Sequence, residues 1–224
     1  MMNPTERLRQ DWPIWLLLIA PFVVIAIYWN EFPAQIPVHW NIRGEVDGYA
    51  GRYKGLFLLP LINIGIYGLF WIMPVIDPKR KVSLTQSSTR AVRFLSISLF
   101  TGLSFINMFT ALGYVLNSGR LLFLLLIFLF LALGNYMGSL RHNYFVGVRT
   151  PWTLEHEDIW RKTHRLASRV WVVSSIVMLI LWFVMRGPLF NGLFIAYVAV
   201  IILVPVIHSY LLYANLRASS EETE

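Results

Sequence analysis

Six stretches of the chain are apolar for long enough to cross a lipid bilayer. They lie at about residues 12–29, 55–76, 94–116, 121–137, 170–185 and 190–213, and none holds Asp, Glu, Lys or Arg. A hydrocarbon core of about 30 Å takes roughly 20 residues of helix to cross. The runs are continuous instead of alternating with period two, which excludes barrel strands. Lipid offers the backbone no partners, so each segment must satisfy its own N–H and C=O groups as helix. The pattern predicts an all-α integral membrane protein of six transmembrane helices.

Some runs carry a polar face. Thr101, Ser104, Asn107, Thr110 and Tyr114 recur every three or four residues in the third run, so they share one side of a helix. A helix–helix seam explains that spacing better than a ligand pathway. Asn63 with Gly65 and Gly68 predicts a similar seam on the second run. The fourth run is apolar all round and is expected to face lipid. Trp12, Trp15, Tyr28, Trp29, Trp182, Tyr210 and Tyr213 stand near span ends, where amphipathic rings favour the interface.

Two polar loops separate the runs. In residues 30–55, Pro33, Pro37, Gly44, Gly48 and Gly51 break any helix, so turns or short extended pieces are expected. Arg43 can pair there with Glu45 or Asp47. Residues 134–169 turn at Gly138, Gly147 and Pro151. Thr153 is suited to N-cap a helix beginning at Leu154. Glu155, Glu157 and Asp158 come early in that helix and Arg161, Lys162 and Arg165 later, an order that complements the helix dipole. The helix is expected to run on into the fifth span, with Trp160, Thr163, Ala167 and Trp171 near one face.

Composition agrees. Charged residues make up 14% of the chain, against about 25% in soluble domains. The net charge of +7 raises the question of nucleic acid, but the basic residues sit in short loops beside apolar runs, which fits membrane topology and no direct nucleic-acid contact. Counted loop by loop, 14 of the 19 Lys and Arg residues fall on one side. That side is the cytoplasm by the positive-inside rule, so both termini are cytoplasmic and loop 30–55 is extracellular. The first span is expected to be an uncleaved anchor. The organisation reads as a two-helix region (1–93), a four-helix region (94–213) with cytoplasmic loop 134–169, and a polar tail (214–224), in a multi-pass protein of the cell membrane.

Catalytic chemistry finds little support. The chain has no cysteine, which removes disulfides, thiolate metal sites and cysteine nucleophiles. His156-Glu157 opens like the zinc motif H-E-x-x-H, but residue 160 is Trp. His39, Glu45 and Asp47 are possible ligands without metal-site spacing. No catalytic residue, metal or cofactor is assigned. Spans without ionisable residues also argue against an ion-coupled carrier.

Two signatures carry a family resemblance. The first is I-P-V-H-W-N-x-x-G-E-V-D, with Pro37, His39, Trp40, Asn41, Gly44 and Asp47. The second runs from Gly134 and Asn135 through Arg141, Asn143, Gly147, Arg149, Thr150, Pro151, Trp152 and Thr153 to Trp160, Thr163 and His164. In both the chain resembles the SdpI family of bacterial membrane immunity and signal-transduction proteins. The resemblance implies a non-enzymatic immunity protein giving resistance to a secreted peptide toxin. It also implies a relay in which a cytoplasmic transcriptional repressor is held at the membrane. Its toxin-facing loop would use His39, Trp40, Asn41, Gly44 and Asp47. Its effector loop would use Asn135, Arg141, Asn143, Arg149, Thr150, Pro151, Trp152, Trp160, Thr163 and His164. Membrane lipid is a further partner. The alternative is an integral membrane, metal-dependent enzyme acting on lipid or cell-wall precursors, and a third reading is a small permease using the polar face of the third span.

Overall fold

A computed structural model describes residues 11–77, 87–114 and 117–221. In chain order they form α1 (Trp12–Ile27), β1 (Gln35–Trp40), β2 (Val46–Gly51), α2 (Arg52–Ile76), α3 (Ser87–Ala111), α4 (Ser118–Met137), α5 (Pro151–Glu155), α6 (Glu157–Val184) and α7 (Pro188–Glu221). Five of these helices, α2, α3, α4, α6 and α7, are long and apolar enough to cross a membrane. The first apolar run yields the 16-residue α1, about 24 Å long at 1.5 Å per residue. The all-helical expectation holds except at loop 30–55, whose extended pieces pair as an antiparallel hairpin, β1 with β2. α6 is one continuous helix of 28 residues from Glu157 into the fifth span. The single helix expected from Leu154 is nevertheless broken: α5 ends before His156, whose backbone is extended (φ −112°, ψ 111°).

The chain forms two compact units. One consists of the chain up to Leu69 together with Arg93–Leu126; the other consists of Phe70–Val92 and the chain from Ile127 onward.

In the first unit a buried apolar cluster joins Ile25 of α1, Phe32, Ile36 of β1, Leu56 of α2 and Met108 of α3. Part of the seam predicted on the third run is present beside it. Thr101 and Asn107 reach across, whereas Ser104 and Thr110 bond back to the Phe100 and Ile106 carbonyls of their own helix, and Tyr114 is exposed beyond the end of α3. Asn63 donates to the Ile97 carbonyl and to Thr101 Oγ1, both at 3.1 Å, and Thr101 donates to the Leu17 carbonyl at 3.0 Å. Asn107 donates to the Pro37 carbonyl at 2.6 Å, tying α3 to the hairpin. These side chains hold neighbours together, as polar groups within a bundle do. Gly65 and Gly68 do not belong to the seam: a Cβ on either would meet nothing within 4 Å.

The same unit holds a charge pair outside the span boundaries set by hydropathy. Asp11, the residue before α1, bonds to Arg93 of α3 and accepts from Tyr67 Oη of α2 at 3.0 Å. Asp11 is 3% exposed and Arg93 5%. Arg93, assigned from the sequence to a cytoplasmic loop, is instead a buried residue of a helix that begins six residues earlier. Hydropathy cannot see this, because a charge neutralised by its partner reads the same as one facing water. Asp11 offers α1 no side-chain cap, since its carboxylate is engaged with Arg93 and Tyr67.

In the second unit α6 and α7 pack along their length, and the contact is organised by a proline. Pro205 lies inside α7 and has no N–H to give the carbonyl of Ile201, four residues earlier. Trp171 of α6 donates its indole N–H to that carbonyl at 2.7 Å. Phe130 of α4 meets the Trp171 ring edge-on, with centroids 5.3 Å apart. A Cβ on Gly134 would come within 2.8 Å of Trp171 Cβ, so Gly134 permits close approach of α4 to α6.

Removing one member of a buried ion pair strands the other and costs about 3–5 kcal/mol, whereas replacing both with apolar side chains is close to neutral. Arg93→Met should therefore lower unfolding stability in detergent micelles by roughly that amount. The double variant Asp11→Leu/Arg93→Met should recover most of the loss in the same denaturation assay.

Candidate functional site

The five residues singled out in loop 30–55 come together in the hairpin and its turn, and most of them build it. Asn41 closes the turn: its Oδ1 accepts from the backbone N–H of Arg43 at 2.8 Å and of Glu45 at 3.1 Å, and its Nδ2 donates to Glu45 Oε2 at 2.9 Å. Arg43 pairs with Glu45 at 3.0 Å. The Asn41 amide first, and Arg43 second, hold the Glu45 carboxyl below its usual range. Gly44 has φ 78°, a conformation that suits glycine.

The tip of the hairpin rests on the start of α4. A Cβ on Gly44 would lie 3.1 Å from Gly119 Cα, and one on Gly119 would overlap the Gly44 backbone. Beside this contact Trp40 donates its indole N–H to Ser118 Oγ at 2.6 Å. Trp40 is thus an anchor of the hairpin. Ser118 and Gly119 were not legible as site residues, because nothing in an SGR tripeptide marks it as a seat for a distant turn.

His39 and Asp47 face solvent. Their Nδ1 and Oδ1 atoms are 2.5 Å apart, with the two side chains 70% and 43% exposed. Gly48 stands opposite His39 in the register and adds no side chain between them. Among the described residues no three His, Asp or Glu side chains converge as metal ligands.

Loop 134–169 is built by the same device, side chains completing irregular backbone. Asn143 is 6% exposed and uses both ends of its amide. Nδ2 donates to the carbonyls of Arg141 (2.7 Å) and Val146 (3.1 Å), while Oδ1 accepts from the N–H groups of Phe145 and Val146, both at 2.8 Å. Gly147 follows with φ 125°; a Cβ there would collide with the His164 ring and lie 3.0 Å from that of Trp160.

Beneath that turn lie Trp160 and His164, 2% and 1% exposed, with ring centroids stacked 4.0 Å apart. Trp160 donates to the Leu140 carbonyl at 2.9 Å. His164 Nε2 accepts from the Val148 N–H at 3.0 Å, and its Nδ1 lies 2.8 Å from the Trp160 carbonyl. Only the neutral ring protonated on Nδ1 satisfies both bonds. Thr163 is fully buried, and its hydroxyl has no partner among the described residues.

The helix start differs from the expected one. Thr150, not Thr153, is the N-cap; Pro151 opens α5, and Thr150 and Thr153 bond reciprocally as a capping box. Proline's fixed φ and missing N–H suit it to the first helical position, which moves the cap upstream. α6 then starts after His156. Trp152 of α5 donates to Ser209 Oγ of α7 at 2.8 Å and stacks on Tyr213 at 5.9 Å. Arg149 is exposed and donates to the Tyr144 carbonyl at 2.7 Å. Arg141 is exposed as well, whereas Asn135 stands exposed on α4 outside this network.

His164 lies on the polar extension of α6, before the apolar run that begins at Val170. Burial pushes its pKa from 6.5 down to about 4; the bond to the Trp160 carbonyl acts upward and the charge of His142 downward. Below pH 6.5 the unfolded chain takes up a proton that the folded chain refuses. The stability present above pH 6.5 is therefore lost as pH falls toward 4, by on the order of 3 kcal/mol in full. Thermal unfolding in micelles at pH 7 and stepwise down to pH 4 should show this loss. His164→Gln, which keeps an acceptor for Val148, should flatten the dependence; equal slopes in both proteins would refute the assignment.

The hairpin loop, and the second loop from Ser139 onward, lie in segments that match family models. A family model described as the SdpI/YfhL protein family matches residues 139–209, from the Asn143 turn into α7. A domain of unknown function (DUF1648) matches residues 16–64, which hold the hairpin. Immunity protein SdpI of Bacillus subtilis (strain 168) is 26% identical over 206 residues, covering 91% of this chain and 96% of that protein. No solved structure matches the chain. The matched segments contain the hairpin loop and the second loop from Ser139 onward, and the similarity to the relative extends over nearly the full chain: this is a multi-pass cell-membrane protein similar to the SdpI/YfhL family.

Proposed function

We propose that the protein confers immunity to a secreted peptide toxin from within the cell membrane. The observation that carries this reading is the similarity to an immunity protein along 91% of the chain. In this reading all six apolar runs cross the bilayer, both termini are cytoplasmic and the hairpin is extracellular. The bias of Lys and Arg toward one set of loops supports that orientation.

Within the hairpin, the His39–Asp47 pair is the part that meets toxin. Its exposure supports this role, whereas Trp40 and Gly44 act by holding the hairpin on α4 and Asn41 by closing its turn. On the other side Arg149 and Arg141, exposed on a loop made rigid by Asn143, Trp160 and His164, form the effector surface. A relay to a cytoplasmic repressor requires toxin to favour, by a few kcal/mol, the conformer that binds the partner. Any effect on gene expression is then indirect.

Producing the protein in a bacterial strain sensitive to secreted peptide toxins should restore growth against a cognate toxin. His39→Ala should lower the protected toxin concentration about tenfold, the equivalent of one lost interaction of 1.4 kcal/mol, at unchanged membrane abundance by immunoblot. Arg149→Ala should leave survival intact while abolishing toxin-induced gene expression in a reporter strain. Unchanged sensitivity across a panel of such peptides would refute the immunity reading.

A further inference from the structure

The second unit contains a cavity of about 760 Å³ bounded by residues 138–142, the α5–α6 junction, the first turns of α6 and the end of α7. Small-molecule sites occupy roughly 300–1,000 Å³. Its lining carries both signs of charge. Arg161 and Asp158 bond to each other at 2.7 Å. Arg141 and Lys162, with Glu155 and Glu157, are the other exposed charges of the lining, and Leu212 and Leu216 supply an apolar edge.

The position of that edge is informative. Leu212 lies between Tyr210 and Tyr213, whose rings pack against Trp152 with centroids 5.5 and 5.9 Å away. Aromatic rings of this kind gather at the headgroup level of a bilayer. A cavity there, with three cations, three carboxylates and an apolar lip, matches a molecule that is zwitterionic at one end and apolar at the other.

We propose that this cavity binds the headgroup of a zwitterionic aminophospholipid. The phosphate faces Arg141 and Lys162, the primary ammonium faces Glu155 and Glu157, and the start of the acyl chains lies along Leu212 and Leu216. An anionic lipid would gain at the cations but carry its net charge against an equal number of carboxylates. A choline headgroup is recognised chiefly through aromatic faces. The tryptophan of the lining cannot serve, being 2% exposed and in ring contact with His164 and His142. A primary ammonium has three N–H donors for the carboxylates. This inference does not depend on the immunity reading, since it concerns the lipid the protein carries whatever its toxin.

Native mass spectrometry of the full-length protein in detergent tests it, using phosphatidylethanolamine, phosphatidylcholine and phosphatidylglycerol with identical acyl chains. Phosphatidylethanolamine should bind about fivefold more tightly than either other lipid. That margin is expected for exposed ammonium–carboxylate hydrogen bonds, which a quaternary ammonium has no N–H to make and a glycerol headgroup no cation to make. Glu155→Gln/Glu157→Gln should bring it to the phosphatidylcholine level without weakening phosphatidylglycerol. Arg141→Gln/Lys162→Gln should weaken phosphatidylethanolamine and phosphatidylglycerol alike. Equal binding of the three lipids by the unsubstituted protein, the result expected of a protein-binding cavity, would overturn the proposal. So would tightest binding of phosphatidylglycerol, or a preference that survives both double variants. The selectivity of the unsubstituted protein decides the matter even where a variant fails to fold.

Discussion

Every backbone polar group shut away from water must find a partner, and this constraint explains most of the polar side chains buried in the molecule. Regular helix meets it unaided. Where proline or a turn interrupts the pattern, a side chain completes it. Trp171 serves the carbonyl of Ile201 that Pro205 leaves over, Trp160 serves that of Leu140, and Asn107 serves that of Pro37. A buried carbonyl or N–H without such a partner costs about 1–3 kcal/mol, so each of these bonds matters more than its small net contribution in water implies.

The two signature loops differ in conformation and in exposure, the Asn41 turn lying in water and Asn143 being buried, yet they use one device. The hairpin turn is organised by Asn41 and the α4–α5 connection by Asn143, each through an amide that accepts from two backbone N–H groups. Asparagine suits both places because it accepts and donates from one short, rigid group. His164 does comparable work at Val148, where its neutral ring is an acceptor that a charged ring could not be. Residues that look functional because they are polar, aromatic and grouped are here mainly the scaffold that leaves Arg141, Arg149, His39 and Asp47 displayed on the surface. That separation of scaffold from displayed residues divides the proposed roles between them.

Charge in this protein takes two physically different forms. Exposed pairs such as Arg43–Glu45 and Arg161–Asp158 sit in water and contribute little to stability. Asp11 and Arg93, with Tyr67, are buried and fix the entrance of α1 against α2 and α3. An apolar substitute for the pair would stabilise equally well; the charges add a requirement that α1 meet its neighbours at one place.

The sequence by itself determined the elements that follow from continuous local patterns. Apolar runs of span length, the polar residues of α3 and the run of the charged segment after His156 into the fifth span were all legible, because each depends on residues within a few turns of one another. The two signature loops stood out for the same reason. Only the tertiary structure decided what lies far apart in the chain: Gly44 against Gly119, Trp40 on Ser118, Trp152 on Ser209, and Asp11 with Arg93. A glycine or serine gives no local sign that a residue about 60 to 80 positions away rests on it, and a paired charge looks like a solvated one. The start of α5 fell between the two cases. Pro151 at the first helical position is a local signal for the cap at Thr150, yet the matching reach of Thr153 back to that cap emerges only once the chain is folded.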